Sequence, residues 1–237
     1  MLQTRGNKLT WLGHSAFRIT TPGGKVVVID PWILSNPVTP EPLKKFERID
    51  FMLISHGHSD HIADAVELAK KHKPQIAAIY ETCAWLQSKG VQNTHPMNKG
   101  GTQKLGELEI TMVNALHSGG IDDGGAVVYG GDPCGYVVRL PGGFTVYHAG
   151  DTAVFGDMKI IGELYAPDVA LLPIGDLFTM GPREAALAVR LLNVSHVIPM
   201  HYGTFPVLTG RPEMLREHTR DVPSLEIHAL KPGESIG

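Results

Sequence analysis

The sequence predicts an α/β fold, and three observations carry that reading. Short apolar runs rich in valine and isoleucine recur as strands, for example Lys25–Asp30 and Val169–Ile174. From Gln75 onward strands alternate with helices of about three turns, such as Glu81–Lys89 and Pro182–Leu192. Four of the strands run straight into histidine or aspartate, so chemistry is expected at strand ends. No linker, charge block or low-complexity stretch divides the 237 residues, and one domain over 1–237 is expected.

Taken in order, 9–12 and 16–20 read as strands around the turn Gly13-His14-Ser15, and 25–30 as a third strand that stops at Pro31. Thr21-Pro22-Gly23-Gly24 supplies the intervening turn. A proline-rich loop covers 35–47. Residues 49–54 read as a buried strand and 62–71 as one amphipathic helix. Further strands are expected at 76–80, 107–113, 135–140, 144–148, 169–174, 196–200 and 224–229, and further helices at 81–89, 157–165, 182–192 and 212–220. Pro182 suits a first helical turn, where its missing N–H is not needed. Residues 119–135, with seven glycines, are expected to be a long loop that edges a pocket. Both halves open with strands and continue with mixed helix and strand, which hints at two similar halves.

Bulk properties narrow the function. The formal charge of −3 gives no basic excess for nucleic acid. No apolar run approaches the roughly 18 residues of a membrane span. The N-terminal stretch lacks a signal-peptide core, so a cytoplasmic protein is expected. Cys83 and Cys134 are far apart and read as free thiols.

Between the strand at 49–54 and its helix lies Ser55-His56-Gly57-His58-Ser59-Asp60-His61, with three histidines and an aspartate in six positions. Alternate side chains of an extended segment share a face, so His56 and His58 can grip one ion. Asp60 and His61, at the helix start, suit a second. Each site needs about three protein ligands and an open position. His117 is the natural third nitrogen for the first ion, His201 supplies a second nitrogen for the other, and Asp151 can bridge the two with one oxygen each. Two divalent ions per chain are therefore expected, zinc first, with manganese, iron or nickel as alternatives for such nitrogen and oxygen donors. They would make hydroxide available at neutral pH for attack on a carbonyl carbon or phosphorus.

This pattern resembles the metallo-β-lactamase superfamily over nearly the whole chain. The turn Gly13–Phe17, Ile29-Asp30-Pro31, Thr179–Pro182 and Ile198–Phe205 resemble more narrowly its branch of small ascorbate-phosphate-lactonase-like hydrolases. The resemblance implies a four-layer αββα sandwich with the site along one edge. It supports His56, His58 and His117 on one ion, Asp60, His61 and His201 on the other, and Asp151 between them. Zinc β-lactamases commonly carry cysteine where Asp151 stands, and flavo-diiron reductases carry glutamate where His58 stands; this chain departs from both.

The expected activity is hydrolysis of a small, anionic ester, lactone or phosphodiester. The alternatives are an RNA-processing nuclease and a metal-binding protein without turnover. Asp60 and His14 are candidate catalytic groups, with His14 as proton donor. Asp30 is placed to accept a hydrogen bond from a ligand histidine. Asp176, Phe178, Thr179 and Met180 are candidates for the wall of the substrate pocket, and Tyr202 for a hydrogen bond to substrate. The expected partner is a small molecule, with neither nucleic acid nor membrane; members of the branch assemble, so a homo-oligomer is also expected.

Overall fold

The structure, a computed structural model, describes residues 2–237. Its first half holds strands β1 (Lys8–Gly13), β2 (Ala16–Thr20), β3 (Val26–Ile29), β4 (Phe51–Leu53), β5 (Gln75–Ile79) and β6 (Thr94–Met97), with helices α1 (Ser59–Ile62), α2 (Ala65–His72) and α3 (Tyr80–Ser88). The second half holds β7 (Thr102–Leu105), β8 (Leu108–Asn114), β9 (Gly120–Asp123), β10 (Ala126–Tyr129), β11 (Cys134–Arg139), β12 (Thr145–His148), β13 (Val169–Pro173), β14 (His196–Met200), β15 (Glu226–Ile227) and β16 (Ser235–Ile236). Its helices are α4 (Met158–Tyr165), α5 (Pro182–Leu192) and α6 (Pro212–His218).

Two seven-stranded sheets form, in the orders β16-β1-β2-β3-β4-β5-β6 and β7-β8-β11-β12-β13-β14-β15. In the first, the pairings from β16 to β3 are antiparallel and those from β3 to β6 parallel. In the second, the pairings from β7 to β12 are antiparallel and those from β12 to β15 parallel. The two sheets thus repeat one pairing pattern, with β16 from the C-terminal end completing the first; the sequence only hints at two similar halves.

Strand alternation builds three apolar layers from these sheets. Val27, Ile29, Phe51 and Leu53 face the central core, where they meet Met112, Tyr136, Val138 and Leu171 of the other sheet. Their neighbours Val28, Met52 and Ile54 face outward and bury Leu68, Ala69 and Leu86 of α2 and α3. On the far side Ala170, Leu172 and Val197 bury Ala185, Val189 and Leu215 of α5 and α6. The order is helix, sheet, sheet, helix. Strands covered on both faces need apolar residues at every position, which explains the unbroken runs at 169–174 and 49–54. Among the described residues no helix is long and apolar enough to cross a membrane. Both cysteines are buried and free.

Three local expectations are corrected. The helix expected over 62–71 is broken at Ala63–Asp64 into α1 and α2. Asp64 leaves the helical pattern because its Oδ2 accepts backbone N–H groups of Ile33, Leu34 and Ser35, at 2.6, 2.7 and 3.2 Å. That bond set pins the loop after β3 to the start of α2. The segment 119–135 contains the β9–β10 hairpin, with Ala126 paired to Asp123 and Tyr129 to Gly120. Its glycines obscure the strand pattern, because two occupy the turn at positive φ: Gly124 (67°) and Gly125 (92°). Strands β6, β7 and β16 are also present where none is expected; they are short sheet edges without clear apolar alternation.

Tyr136 ties the sheets together beneath the site. Its ring is fully buried and its hydroxyl donates to Ile54 O at 2.7 Å, across the central core. Ile54 directly precedes the histidine cluster. Tyr136→Phe removes the donor and leaves a buried carbonyl short of a partner, which costs about 1–3 kcal/mol. Urea unfolding of the variant should show a lower midpoint with an unchanged slope.

Candidate metal centre

Six strands deliver the site to one edge. β1 ends before His14, β3 before Asp30, β4 before Ser55 and His56, β8 before His117, β12 before Asp151, and β14 before His201. All seven expected ligands come together there. The potential donor atoms of His56, His58 and His117 form one group within 4.8 Å of one another, those of His14, Asp60, His61 and His201 a second, and those of His56, His61 and Asp151 a third. The third group takes one histidine from each of the other two, which places Asp151 between them.

Hydrogen bonding fixes which ring nitrogen faces inward. Asp30, buried beneath the cluster, accepts from Ser55 N (2.7 Å) and Ser55 Oγ (2.7 Å), and from His61 Nδ1 (2.8 Å). Because the Ser55 hydroxyl proton goes to Asp30, its oxygen accepts from His56 Nδ1 at 3.0 Å. Both histidines therefore spend Nδ1–H on a partner below and present Nε2 to the centre. His56 Nε2 and His117 Nε2 lie 3.0 and 3.2 Å from His58 Nδ1. Burial lowers the pKa of all three rings, which favours the neutral imidazoles that bind metal.

The second group is held differently. Asp151 Oδ2 lies 2.9 Å from His201 Nε2, 3.2 Å from His61 Nε2 and 3.7 Å from His117 Nε2. One oxygen thus faces both groups, where one oxygen each was expected; Oδ1 lies 3.5 Å from Ser15 Oγ. Burial opposes the charge on Asp151, but His201 and His61 outweigh it and hold its carboxyl well below the usual range. Conversely, burial opposes the charge on both histidines. Asp151 and Asp30 nonetheless hold His61 well above its ordinary value, and Asp151 holds His201 at about 9.

These observations test whether the residues suit a cation. Nε2 of His61 and of His201 are buried without a hydrogen-bond partner, although each lies close to Asp151 Oδ2. The donor atoms of His56, His61 and Asp151 lie within 4.8 Å of one another, close enough to share an ion. The chain alone meets the negative charge of Asp30, Asp60 and Asp151 with protons on His61 and His201; divalent cations would meet it in their place. The residues fit. Thiolates take no part, since the Cys134 Sγ donates to Ser55 O and burial pushes its pKa up to about 12.

The remaining candidates divide. His14 is fully buried, with Nε2 2.9 Å from Asp60 Oδ2 and Nδ1 3.0 Å from Thr204 Oγ1. Burial lowers its pKa to about 4, so the neutral ring donates Nε2–H to Asp60 and accepts from Thr204. With both nitrogens engaged and no exposed atom, it has no path to give a proton to substrate. Tyr202 stacks on Trp11 at 5.2 Å and donates its hydroxyl to Leu230 O, away from the site. Asp176 binds the N–H of Leu177 in its own turn, and Thr179 donates to Met180 O. Neither lines the cavity above the centre; Phe178 does. That cavity has a volume of about 640 Å³ and also opens onto His58, Asp60, His117 and Asp151.

Ser55 and Thr204 were missed in the sequence. Ser55 carries a weak signal, standing between a buried strand and a ligand histidine. Thr204 carries none. Gly57 also has a reason: a Cβ there would collide with Ile121 and with the carbonyls of Gly119 and Gly120, so the β9–β10 hairpin packs directly on the ligand loop.

A model of the β-lactamase superfamily domain matches residues 25–202. A UPF0173 metal-dependent hydrolase of Koribacter versatilis is 55% identical over 99% of this chain and 99% of its own. The chain belongs to the metallo-β-lactamase superfamily, within this family of metal-dependent hydrolases. A family member from the archaeon Methanopyrus kandleri is 47% identical, covering 96% of this chain and 98% of its own. Among solved structures, Igni18, a metallo hydrolase of the hyperthermophilic archaeon Ignicoccus hospitalis, superposes with a TM-score of 0.86 at 37% identity, covering 97% of both chains. The layer order and paired sheets described above are those of the superfamily fold.

Because Asp30 orients a histidine of each group, Asp30→Asn should weaken metal retention by about 10–100-fold. Ser55→Ala removes the bond to His56 and one of the three bonds to Asp30 but leaves the direct Asp30–His61 bond, and should have a smaller effect. Competition with a colorimetric chelator, followed by metal analysis, ranks the two variants.

Proposed function

We propose that this chain hydrolyses a small-molecule ester, lactone or phosphodiester at a dinuclear centre. His56, His58 and His117 would hold one divalent cation, Asp60, His61 and His201 the other, with Asp151 shared. The observation that carries the reading is the pair of buried Nε2 atoms of His61 and His201, unpartnered beside Asp151, which itself lines the cavity. When bound, two such ions supply Lewis-acid polarisation of the electrophile and lower the pKa of water towards neutrality.

The chain's own groups do the rest. Asp60 lines the cavity with 26% of its side chain exposed and can take the proton of an attacking water. His14, held by Thr204, fixes the Asp60 carboxylate through Nε2–H and so acts as a positioning residue. Burial raises the Asp60 pKa, but the bonds from His14 and His201 and the charge of His61 together outweigh it and keep the carboxyl below its ordinary range, so it stays ionised. Asp151 and Asp30 hold the imidazoles from either side. A nuclease reading finds no support in the cavity, since neither lysine nor arginine is among its lining residues to follow a phosphate backbone.

His58→Ala should lose bound metal and at least about 100-fold in turnover while far-UV circular dichroism is unchanged. Removing metal with a chelator should abolish hydrolysis of chromogenic esters and phosphodiesters, and divalent cation should restore it. Full activity of the variant with unchanged metal content would refute the assignment.

A further inference from the structure

The cavity over the centre has both acidic and apolar lining. Asp60, Asp122 and Asp151 are its charged lining residues besides the histidines, and Val127, Phe178 and Phe205 form its apolar wall. Neither lysine nor arginine is among its lining residues.

The wall is built, not incidental. Val127 is 81% exposed and Phe178 58% exposed, so both offer apolar surface to what enters the cavity. Val127 sits on β10, opposite Asp122. A Cβ at Gly120 would press on its side chain, so the glycine makes its room. Phe178 is presented by a turn in which Asp176 (φ 68°) and Leu177 (φ 60°) both take the left-handed conformation, which side-chain-bearing residues disfavour. Phe178 N–H closes that turn on Asp176 O at 2.7 Å. Phe205 is held by stacking on Trp32, with centroids 5.8 Å apart. Three separate segments thus converge their apolar side chains over the donor atoms.

An anionic group on the substrate, away from its reacting bond, would find no counter-charge here and would face Asp122. Desolvating such a group against apolar walls is strongly unfavourable without a partner. An uncharged apolar group loses nothing by entering and gains from leaving water.

We propose that the site takes an uncharged ester or lactone whose apolar acyl portion packs against Val127, Phe178 and Phe205. The assignment rests on the hydrolase reading above and replaces the expectation of an anionic substrate. Sugar phosphates and substrates with a second acidic group are disfavoured.

The test compares two metal-binding probes of equal chain length on the full-length, zinc-loaded protein by titration calorimetry: hexanohydroxamic acid and adipic acid monohydroxamate, which differ by a terminal carboxylate. The neutral probe should bind at least about tenfold more tightly. In Val127→Arg, at unchanged zinc content, the gap should shrink to about threefold or reverse, because a cation now faces the carboxylate. Equal or tighter binding of the carboxylate probe to the unmodified protein, or binding of neither probe, would overturn the proposal. Hydrolysis is read separately with p-nitrophenyl hexanoate. If the probe ranking holds but no zinc-dependent hydrolysis occurs, the pocket assignment stands and the hydrolase reading fails.

Discussion

Everything at the centre leans on the Asp30 carboxylate. It is fully buried at the end of β3 and accepts three hydrogen bonds, from the backbone and hydroxyl of Ser55 and from His61 Nδ1. A buried carboxylate is costly unless its oxygens are filled, and bonds to charged groups are worth about 1.5–3 kcal/mol each. Filling those oxygens has a directional result. Ser55 can only accept from His56, and His61 can only turn Nε2 inward. One side chain therefore sets the orientation of a histidine in each donor group, through one intermediary on one side and none on the other.

The neighbouring backbone is strained to match. His14, Asp30 and His201 all take left-handed φ values, 55°, 49° and 55°. Such positions cost about 1–3 kcal/mol each for residues other than glycine. They persist because each follows a strand anchored in a core layer and each is tied across the site: His201 N–H donates to His14 O at 2.9 Å, joining the ends of the two sheets. Strands anchored in the core thus hold these residues at a sharp turn, where a donor atom can leave its sheet and face its counterpart in the other.

Several parts of this arrangement were legible in the sequence because their information is local. The His56-to-His61 run, with its parity and its place between an apolar strand and a helix, names four donors by itself. His117, Asp151 and His201 follow from runs that end in a polar residue. The break at Asp64 was not legible, since its cause is an acceptor role toward residues 33–35, about thirty positions away. The β9–β10 hairpin was hidden because its residues are partly exposed and glycine-rich, so no apolar alternation marks it. In the turn at 176–180, the residues with functional chemistry, Asp176 and Thr179, bind their own backbone, while the apolar Phe178 reaches the cavity. A pattern of residue types does not reveal which way a turn throws its side chains.

The sequence alone determined the donor types, the strand ends that carry them, and the alternation of strands with helices; the order of the layers came from the resemblance. The first three depend on period and on neighbours within a few positions. Tertiary structure decided that the two sheets share one pairing pattern, that a single oxygen of Asp151 faces both donor groups, that His14 serves Asp60, and that Val127, Phe178 and Phe205 reach the cavity above. Each of these is a distance between residues far apart in the chain, fixed only when two sheets pack through a common core and bring their strand ends to the same edge.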